Sequence, residues 1–395
     1  VDGTNDNDES ARYSVSGLRL EEIDLLDADG LYLSLNFSPL PGVNIQTAVQ
    51  SVSTSGAWRG NLTSKVSLLR GQIFASRVQG AMTGEAFEQI SELVDNILEL
   101  QRSNGAFANY NWSDASVSEE WQPYAVETLL FASEYLEQTD QIERAIDNGL
   151  GYLANQRSED IWTQLYTLGV LAETGRDVLS RARYLIDSSV LNDAELSRYR
   201  YVDQLNNIAG ALWLADKIGD YRRFDDINRV LNSLIGSEIN RQNDVAGGAP
   251  RQSWRPSNVF VPNVRTFRSG WGSIPWYTGH LLADIGPENR TEGVSYLLMR
   301  SATVYAERSR SPFSAAKLLQ ILDSLDGGSG DDAMVMGIQG VSVNGVAVPV
   351  TQRGDVYVSR EDLHNGFELE VTPAVTGYLN LQAIGTRSSR DPIGE

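Results

Sequence analysis

The chain has 395 residues and carries 32 lysines and arginines against 52 aspartates and glutamates, a formal net charge of −20. A surface this acidic repels phosphate groups, so nucleic acids and anionic lipid headgroups are not expected partners. Cysteine is absent, which excludes disulfides, thiolate zinc sites and a cysteine nucleophile. No apolar run approaches the roughly 20 residues that a membrane helix needs, so no membrane-spanning segment is predicted.

The first clear element along the chain is a strand. In the stretch LYLSLNF, apolar and polar residues alternate from Leu31 to Phe37, which is typical of a strand with one buried face. The PLPG at 39–42 ends this strand, because proline cannot donate a hydrogen bond to a ladder.

Helical periodicity follows, from Val43 to about Leu325. In TGEAFEQISELVDNILELQRS the apolar residues recur at intervals of three and four, and Thr83 is placed to cap the helix. The stretch 243–272 is rich in glycine, proline and arginine and is predicted as a loop, which is either a binding surface or a covering. Further helices are predicted over 121–137, 141–155, 159–174, 177–189, 193–218, 222–236, 273–285, 291–308 and 312–325.

A short repeat occurs within the helical region. The sequence Gln-Arg-Ser begins at Gln101 and again at Gln156, each time with a leucine three residues before the glutamine. The first copy, LELQRSNGAFANYNW, is predicted as a helix end and a glycine turn that returns two large aromatics. About ten to twelve helices in pairs of 45–55 residues favour an α/α toroid, in which an outer ring of helices surrounds an inner ring.

Period-two patterning returns after the helices. Asn344 and Gly345 stand between alternating valines, which predicts a hairpin, and DVYVS, FELEV and GYLNLQAI are predicted strands. Strands on both sides of the helical region predict a helical domain inserted into a β domain. The predicted domains are a first β part at 1–41, the helical domain at 42–328 and a second β part at 329–395.

Candidate catalytic residues are few. Glu119 and Glu120 beside Trp121 are the nearest approach to the carboxylate pair of a glycosidase, but adjacent acids at a helix start also favour the helix dipole. His280 falls in an apolar helix and is predicted as a core residue, and His364 falls in a strand connection. No catalytic residue, metal site or cofactor is therefore predicted.

The order of these stretches resembles the C-terminal part of the bacterial α2-macroglobulins. The resemblance is carried by LYLSLNFSPLPG, ILELQRSNGAF, EEWQPYAVETLLFASE and SPFSAAKLLQILDSL, followed by the returning strands. It implies a thioester-domain toroid inserted into a CUB-like antiparallel β-sandwich. It also implies a periplasmic protease trap, of which this chain is a piece, attached to the inner membrane through an N-terminal part outside the chain.

In that family, a Gly-Cys-x-Glu-Gln motif follows the Pro-Leu-Pro-Gly and forms a buried thioester between the cysteine thiol and the glutamine carbonyl. The corresponding residues here are Gly56, Ala57, Trp58, Arg59 and Gly60. Ala57 offers no thiol and Gly60 no amide carbonyl, so the resemblance implies a natural member without a thioester. Trp58 is expected either to pack against the β domain in place of the thioester loop or to lie exposed.

The expected function is that of a protease trap acting without a covalent bond, through conformational entrapment or partner binding. The expected partners are proteases and other periplasmic or envelope proteins. The alternative is a carbohydrate-active enzyme, a glycosidase or lyase, built on the same α/α toroid with an accessory β domain. That alternative requires an acid-lined central cavity.

Overall fold

The structure of the protein is a computed structural model. It describes residues 11–14, 30–38, 43, 45–53, 60–78, 83–112, 115–136, 140–245, 279–307, 309–325, 338–349, 355–359, 368–373 and 378–384. These residues fall into two compact units. The helical unit draws on Ala48–Ser76 and Met82–Gly328, and the strand unit on Val1–Thr47, Arg77–Ala81 and Ser329–Glu395.

The helices of the described residues lie within the region, Val43 to about Leu325, that the sequence predicts to be helical. The α-helices are α1 (Ile45–Ser53), α2 (Leu62–Val78), α3 (Gly84–Leu98), α4 (Gln122–Ser133), α5 (Asp140–Asn155), α6 (Ile161–Glu173), α7 (Leu179–Ser189), α8 (Asp193–Leu196), α9 (Tyr201–Lys217), α10 (Tyr221–Val245), α11 (Glu292–Glu307) and α12 (Pro312–Leu325). Short 3₁₀ helices span Glu119–Trp121, Gly279–Asp284 and Pro287–Asn289.

The prediction of a single helix over 193–218 is wrong. The structure divides it into α8 and α9, because Arg200 adopts an extended backbone conformation with φ −64° and ψ 152°. Asn192 caps the short first piece by accepting a hydrogen bond from the Glu195 amide. The two pieces are therefore separate helices, each with its own start.

Two further predictions on helix extent need correction. The helix predicted over 222–236 continues to Val245, so the first residues of the predicted loop 243–272 are helical, and the rest of that loop lies outside the described residues. Within 273–285, the described residues are 279–285, of which Gly279–Asp284 form a 3₁₀ helix. Ile285 and Gly286 follow it, and Pro287 then removes the backbone donor that a longer helix would need there.

Burial divides the helices into two groups. In α12 every residue from Ser314 to Leu322 is buried, and α4 and α6 are buried over most of their lengths. In α3 the buried residues are only Ile90, Leu93, Val94 and Ile97, which is one face. The well-buried helices contact one another in the order α4, α6, α9, Gly279–Asp284 and α12, and we call them, together with α2, the inner helices.

The predicted helix cap at Thr83 is confirmed. Its side-chain oxygen accepts a hydrogen bond from the backbone N–H of Ala86 at 3.2 Å. This bond satisfies one of the amides that the first turn of α3 leaves without a helical partner.

The strands form two antiparallel sheets. They are β1 (Ala11–Ser14), β2 (Gly30–Ser38), β3 (Ile338–Val343), β4 (Val346–Ala347), β5 (Asp355–Ser359), β6 (Glu368–Pro373) and β7 (Tyr378–Ile384), in the orders β1-β6-β3-β4 and β5-β2-β7. Strands from before the helices therefore pair with strands from after them, with Leu35 opposite Leu381, for example. The domain boundaries at 41/42 and 328/329 stay predictions.

The predicted hairpin between β3 and β4 is confirmed. Asn344 and Gly345 have φ values of 52° and 78°, and Val343 pairs with Val346 across them. Positive φ at both central residues is the geometry of a type I′ turn, whose twist matches that of the flanking strands.

Candidate functional site

The residues that the resemblance places at the thioester position, 56–60, directly precede helix α2 in the sequence. Of its five residues only Gly60 is described, and residues 56–59 lie outside the described residues. Asn61 caps α2, because its side-chain oxygen accepts hydrogen bonds from the Ser64 amide at 3.1 Å and from the Ser64 hydroxyl at 3.0 Å. The start of α2 is thus fixed by a local cap.

An exposed aromatic pair flanks this helix start. The backbone N–H of Leu62 donates to the carbonyl of Asn109 at 2.9 Å, which brings the following residues beside α2. Tyr110 and Trp112 stack with ring centroids 4.2 Å apart and planes at 10°, and Trp112 is 58% exposed. The side chain of Asn109 donates to two serine hydroxyls at 2.9 Å each, so the segment carrying the pair is held in place.

The glycine turn of the first Gln-Arg-Ser copy supports that segment. The Gln101 amide donates to the carbonyl of Gly105 at 3.2 Å and to that of Ala145 on α5 at 2.7 Å. Gly105 has φ +87°, and a Cβ there would lie 2.1 Å from the carbonyl oxygen of Asn148. The turn is therefore docked against α5 through a position that only glycine suits.

The sequence analysis did not identify Gln122, which holds the segment after the glycine turn by hydrogen bonds to the backbone of Phe107. Its amide accepts from the Phe107 N–H at 2.7 Å and donates to the Phe107 carbonyl at 2.9 Å, and it is fully buried. Glu119 and Glu120, the predicted alternative carboxylate pair, are exposed on the 3₁₀ turn that precedes α4. In the second repeat copy, the Gln156 amide donates to the carbonyl of Glu119 at 3.3 Å, so both glutamines tie loops together.

Buried charged and polar side chains connect the inner helices. Arg70 on α2 is 2% exposed and donates to Glu127 Oε2 on α4 at 2.5 Å and to Gln320 Oε1 on α12 at 2.9 Å. Tyr166 on α6 donates to the same Glu127 oxygen, and the Gln320 amide donates to Asp284 at 3.0 Å. We call these five residues the inner polar network.

Aromatic rings surround the charges of this network. The Arg70 guanidinium carbon lies 5.3 Å from the ring centroid of Tyr124 and 6.0 Å from that of Phe131, within the range of cation–π attraction. Lys317 Nζ lies 4.2 Å from the ring centroid of Phe313. Burial and the nearby Arg70 charge lower the pKa of Lys317 well below its usual range, and burial raises the pKa of Tyr124 to about 12.

The predicted core position of His280 is confirmed. Its side chain is fully buried, and its ring lies 5.8 Å from that of Tyr124 and 6.1 Å from that of Tyr166. His364 lies outside the described residues. Among the described residues, no group of three or more His, Asp or Glu side chains is arranged to hold a metal ion. In the same part of the chain, no helix has the length and apolarity that crossing a membrane requires.

Asp284 lies at the accessible end of the inner polar network. Its side chain keeps contact with solvent, although protein surrounds it on the other sides. Desolvation and the Glu127 carboxylate raise the pKa of Asp284 to about 6, against the opposing effect of Arg70. Burial lowers the pKa of Lys217, but the carboxylates of Asp284 and Glu173 raise it by more, so the pKa lies above its usual value. The Lys217 Nζ lies 2.6 Å from Glu173 Oε1.

The raised pKa of Asp284 predicts a pH-dependent stability difference between the wild type and Asp284→Asn. Between the ordinary pKa of 3.8 and the folded value of about 6, the folded state binds the proton more tightly than the unfolded state. The wild type therefore loses stability relative to the variant as pH rises through this window, and the difference is constant above it. Because the side chain keeps solvent contact, we expect a change of about 1 kcal/mol.

Urea unfolding of both proteins at pH values across this window measures the difference. Glu288→Gln, on the neighbouring 3₁₀ helix, is the control for removing one exposed negative charge. A wild-type and Asp284→Asn difference that stays constant from the ordinary pKa to neutral pH would contradict the assignment.

Comparisons with known proteins show where a similar fold occurs. Neither a protein-family model nor a curated protein matches the chain. Solved structures do match. The crystal structure of Salmonella alpha-2-macroglobulin reacted with methylamine is 16% identical with a TM-score of 0.53, over 97% of this chain and 24% of that one. The cryo-EM structure of native E. coli alpha-2-macroglobulin is 14% identical with a TM-score of 0.52, over 96% of this chain and 22% of that one.

A shorter E. coli structure narrows the region of similarity. The crystal structure of native E. coli alpha-2-macroglobulin from domain MG7 to the C-terminus is 15% identical with a TM-score of 0.50, over 92% of this chain and 53% of that one. The chain therefore has a fold found in the C-terminal region of bacterial α2-macroglobulins. It spans about a quarter of the Salmonella protein and about half of the shorter E. coli structure.

Proposed function

We propose that the chain belongs to a bacterial α2-macroglobulin-like protease trap that lacks the reactive thioester. The observation that carries the proposal is the similarity of fold over 97% of the chain to the Salmonella protein, at a TM-score of 0.53. Ala57 and Gly60 stand where the family has its cysteine and glutamine, and the whole chain contains no cysteine. A thioester requires sulfur and an acyl carbon, and this chain offers neither at that position.

We infer that the inner helices are the inner ring of an α/α toroid. Inner helices alternate along the chain with helices outside this group, and this alternation supports the assignment. The helices that separate the inner ones are α3, α5, α7, α10 and α11. Strands from both flanks of the helices share two antiparallel sheets, which supports the CUB-like sandwich with an inserted helical domain.

The surroundings of α2 support non-covalent contact with a captured protein. In thioester members of the family, aromatic residues shield the bond at this place. Here Tyr110 and Trp112 flank the helix start and remain exposed, so the place offers an apolar contact surface and no electrophile. We propose that entrapment in the full-length protein relies on such contacts and on a change of shape. The partners are then proteases, and the compartment is the periplasm.

The arrangement of the carboxylates in the helical unit supports the proposal that the protein is not an enzyme. A glycosidase needs one free carboxylate and one carboxylic acid facing the same cleft. Glu127 is instead bound by Arg70 and Tyr166, and Glu119 and Glu120 are exposed on a turn that precedes the inner helix α4. The arrangement is that of a structural charge network, so a carbohydrate-active enzyme is not favoured.

Restoring the motif tests the assignment of the degenerate position. In Ala57→Cys/Arg59→Glu/Gly60→Gln we expect the thiol to condense with the glutamine carboxamide, forming the thioester and releasing ammonia. The intact mass should fall by one ammonia, and methylamine should then add to the acyl carbon and free the thiol. Wild-type protein should keep its mass in methylamine.

Ala57→Cys/Arg59→Glu, which lacks the glutamine, is the matched control and should keep both its thiol and its mass. A triple variant with the urea midpoint of the wild type, a fully titratable thiol and no loss of ammonia would show that residues 57 and 60 are not equivalent to the family's pair.

A further inference from the structure

We propose that a pocket between the α5–α6 loop, α6 and α7 binds a peptide segment of a partner protein through an aspartate or glutamate side chain of that segment. The pocket has a volume of about 280 Å³. Its lining includes Gln156, Arg157, Thr167, Arg181, Tyr184 and Leu185. It contains no member of the inner polar network and no residue of the α2 start, so it is distinct from the places described above.

Two arginines that pair with no carboxylate of the described residues give the pocket its charge. Arg157 and Arg181 are exposed, and neither forms an ion pair or a side-chain hydrogen bond with any described residue. Arg183, on the same helix as Arg181, shows the contrast, because it binds Asp220 at 2.7 Å. In a chain of net charge −20, two uncommitted guanidinium groups at one pocket favour a carboxylate, which they can bind in a bidentate fashion.

Two polar side chains of the pocket lining, Gln156 and Thr167, have groups without a hydrogen-bond partner among the described residues. The Gln156 Nε2 donates to the carbonyl of Glu119 at 3.3 Å, which fixes the amide, while its buried Oε1 has no partner among the described residues. Thr167 is 5% exposed, and its hydroxyl forms no hydrogen bond within the described part of the chain. The Gln156 oxygen is closed off from the pocket, so the Thr167 hydroxyl is the donor available to a ligand, and a carboxylate would accept from it.

The apolar lining and the size restrict the ligand further. Leu168 and Leu185 contribute apolar walls, and Tyr184, 75% exposed, stands at the rim, where its ring can cover an apolar neighbour of the acidic residue. Sites for small molecules usually have about 300–1,000 Å³. The pocket lies just below that range and suits one acidic side chain with its flanking peptide groups.

The test uses a short fluorescein-labelled peptide of alternating leucine and glutamate, and a second peptide with glutamine in place of glutamate. Fluorescence anisotropy should show saturable binding of the acidic peptide alone, weakened by added salt. Arg157→Gln/Arg181→Gln should reduce the affinity at least about tenfold, and Thr167→Val should reduce it less. Arg222→Gln, an exposed arginine on α10, is the control and should leave the affinity unchanged.

Both replaced arginines are exposed, so the variants should keep the urea midpoint of the wild type. Three results would each overturn the proposal: no saturable binding of the acidic peptide, equal binding of the glutamine peptide, or wild-type affinity in the double arginine variant. Displacement of the labelled peptide by an equal concentration of glutarate would overturn the assignment to a peptide and leave a free carboxylate as the ligand.

Discussion

Replacing Arg70 by methionine is expected to lower the free energy of unfolding by about 3–5 kcal/mol. The guanidinium is 2% exposed and lies 2.5 Å from the Glu127 carboxylate, whose side chain is 6% exposed. Removing it leaves a buried negative charge whose remaining described partner is the hydroxyl of Tyr166, and Gln320 loses the donor to its Oε1. Urea unfolding measures the loss.

The double variant separates the charge from the packing. Glu127→Gln in the Arg70→Met background removes the stranded carboxylate, so it should recover most of the lost stability. Arg229→Met is the matched control, because Arg229 is exposed and its partner Asp226 is half-buried, and pairs at the surface contribute at most about 1 kcal/mol. The single variant Glu127→Gln completes the comparison. If the losses of Arg70→Met and Glu127→Gln simply add in the double variant, the account of the inner polar network is contradicted.

Replacing Gly105 by alanine should be the second costly change, lowering the free energy of unfolding by about 2–4 kcal/mol. Gly105 has φ +87°, where an L-residue is strained, and its added Cβ would lie 2.1 Å from the Asn148 carbonyl oxygen. That oxygen belongs to the backbone of α5, so it cannot turn away as a flexible side chain would.

Gly175→Ala isolates the conformational part of this cost. Gly175 has φ +75°, and an added Cβ there meets no atom within 4 Å. It should therefore cost about 1–2 kcal/mol, clearly less than Gly105→Ala, when both urea midpoints are compared. Equal losses in the two variants would show that the glycine turn is not docked against α5 in the way described.

Local chemistry made several elements predictable from the sequence. The cap at Thr83 and the Asn344-Gly345 hairpin each depend on a few neighbouring residues, so a short stretch carries the whole signal. The division between α8 and α9 was missed, because residues 197–200 contain no glycine or proline and only the backbone of Arg200 shows the break.

The inner polar network was not predictable as a set of contacts. Arg70 and Gln320 are 250 residues apart, and no periodicity relates residues so far apart in the chain. A signal was nevertheless present, since Arg70, Glu127 and Lys317 are single charges in otherwise apolar stretches of their helices. A charge on a helix buried all round requires a partner or a neutral form, so these residues could have been nominated without their pairing.

The candidate site likewise has one part that the sequence predicts and another part that only the structure shows. The degenerate positions from Gly56 to Gly60 follow from the resemblance alone, whereas the neighbouring aromatic pair required the hydrogen bond between Leu62 and Asn109. The pocket at Arg157 and Arg181 combines a loop with two helices. None of its residues forms a sequence motif.

A trypsin challenge of the longer protein to which we propose that this chain belongs tests the central proposal, a trap without a covalent bond. After mixing, size-exclusion chromatography and then denaturing electrophoresis without reductant show whether trypsin is held and how. The account predicts that trypsin co-elutes with the protein, still cleaves a small peptide substrate but not a large protein, and separates completely on denaturation. A trypsin adduct that survives denaturation, or trypsin that elutes alone and degrades the large substrate at its normal rate, would contradict it.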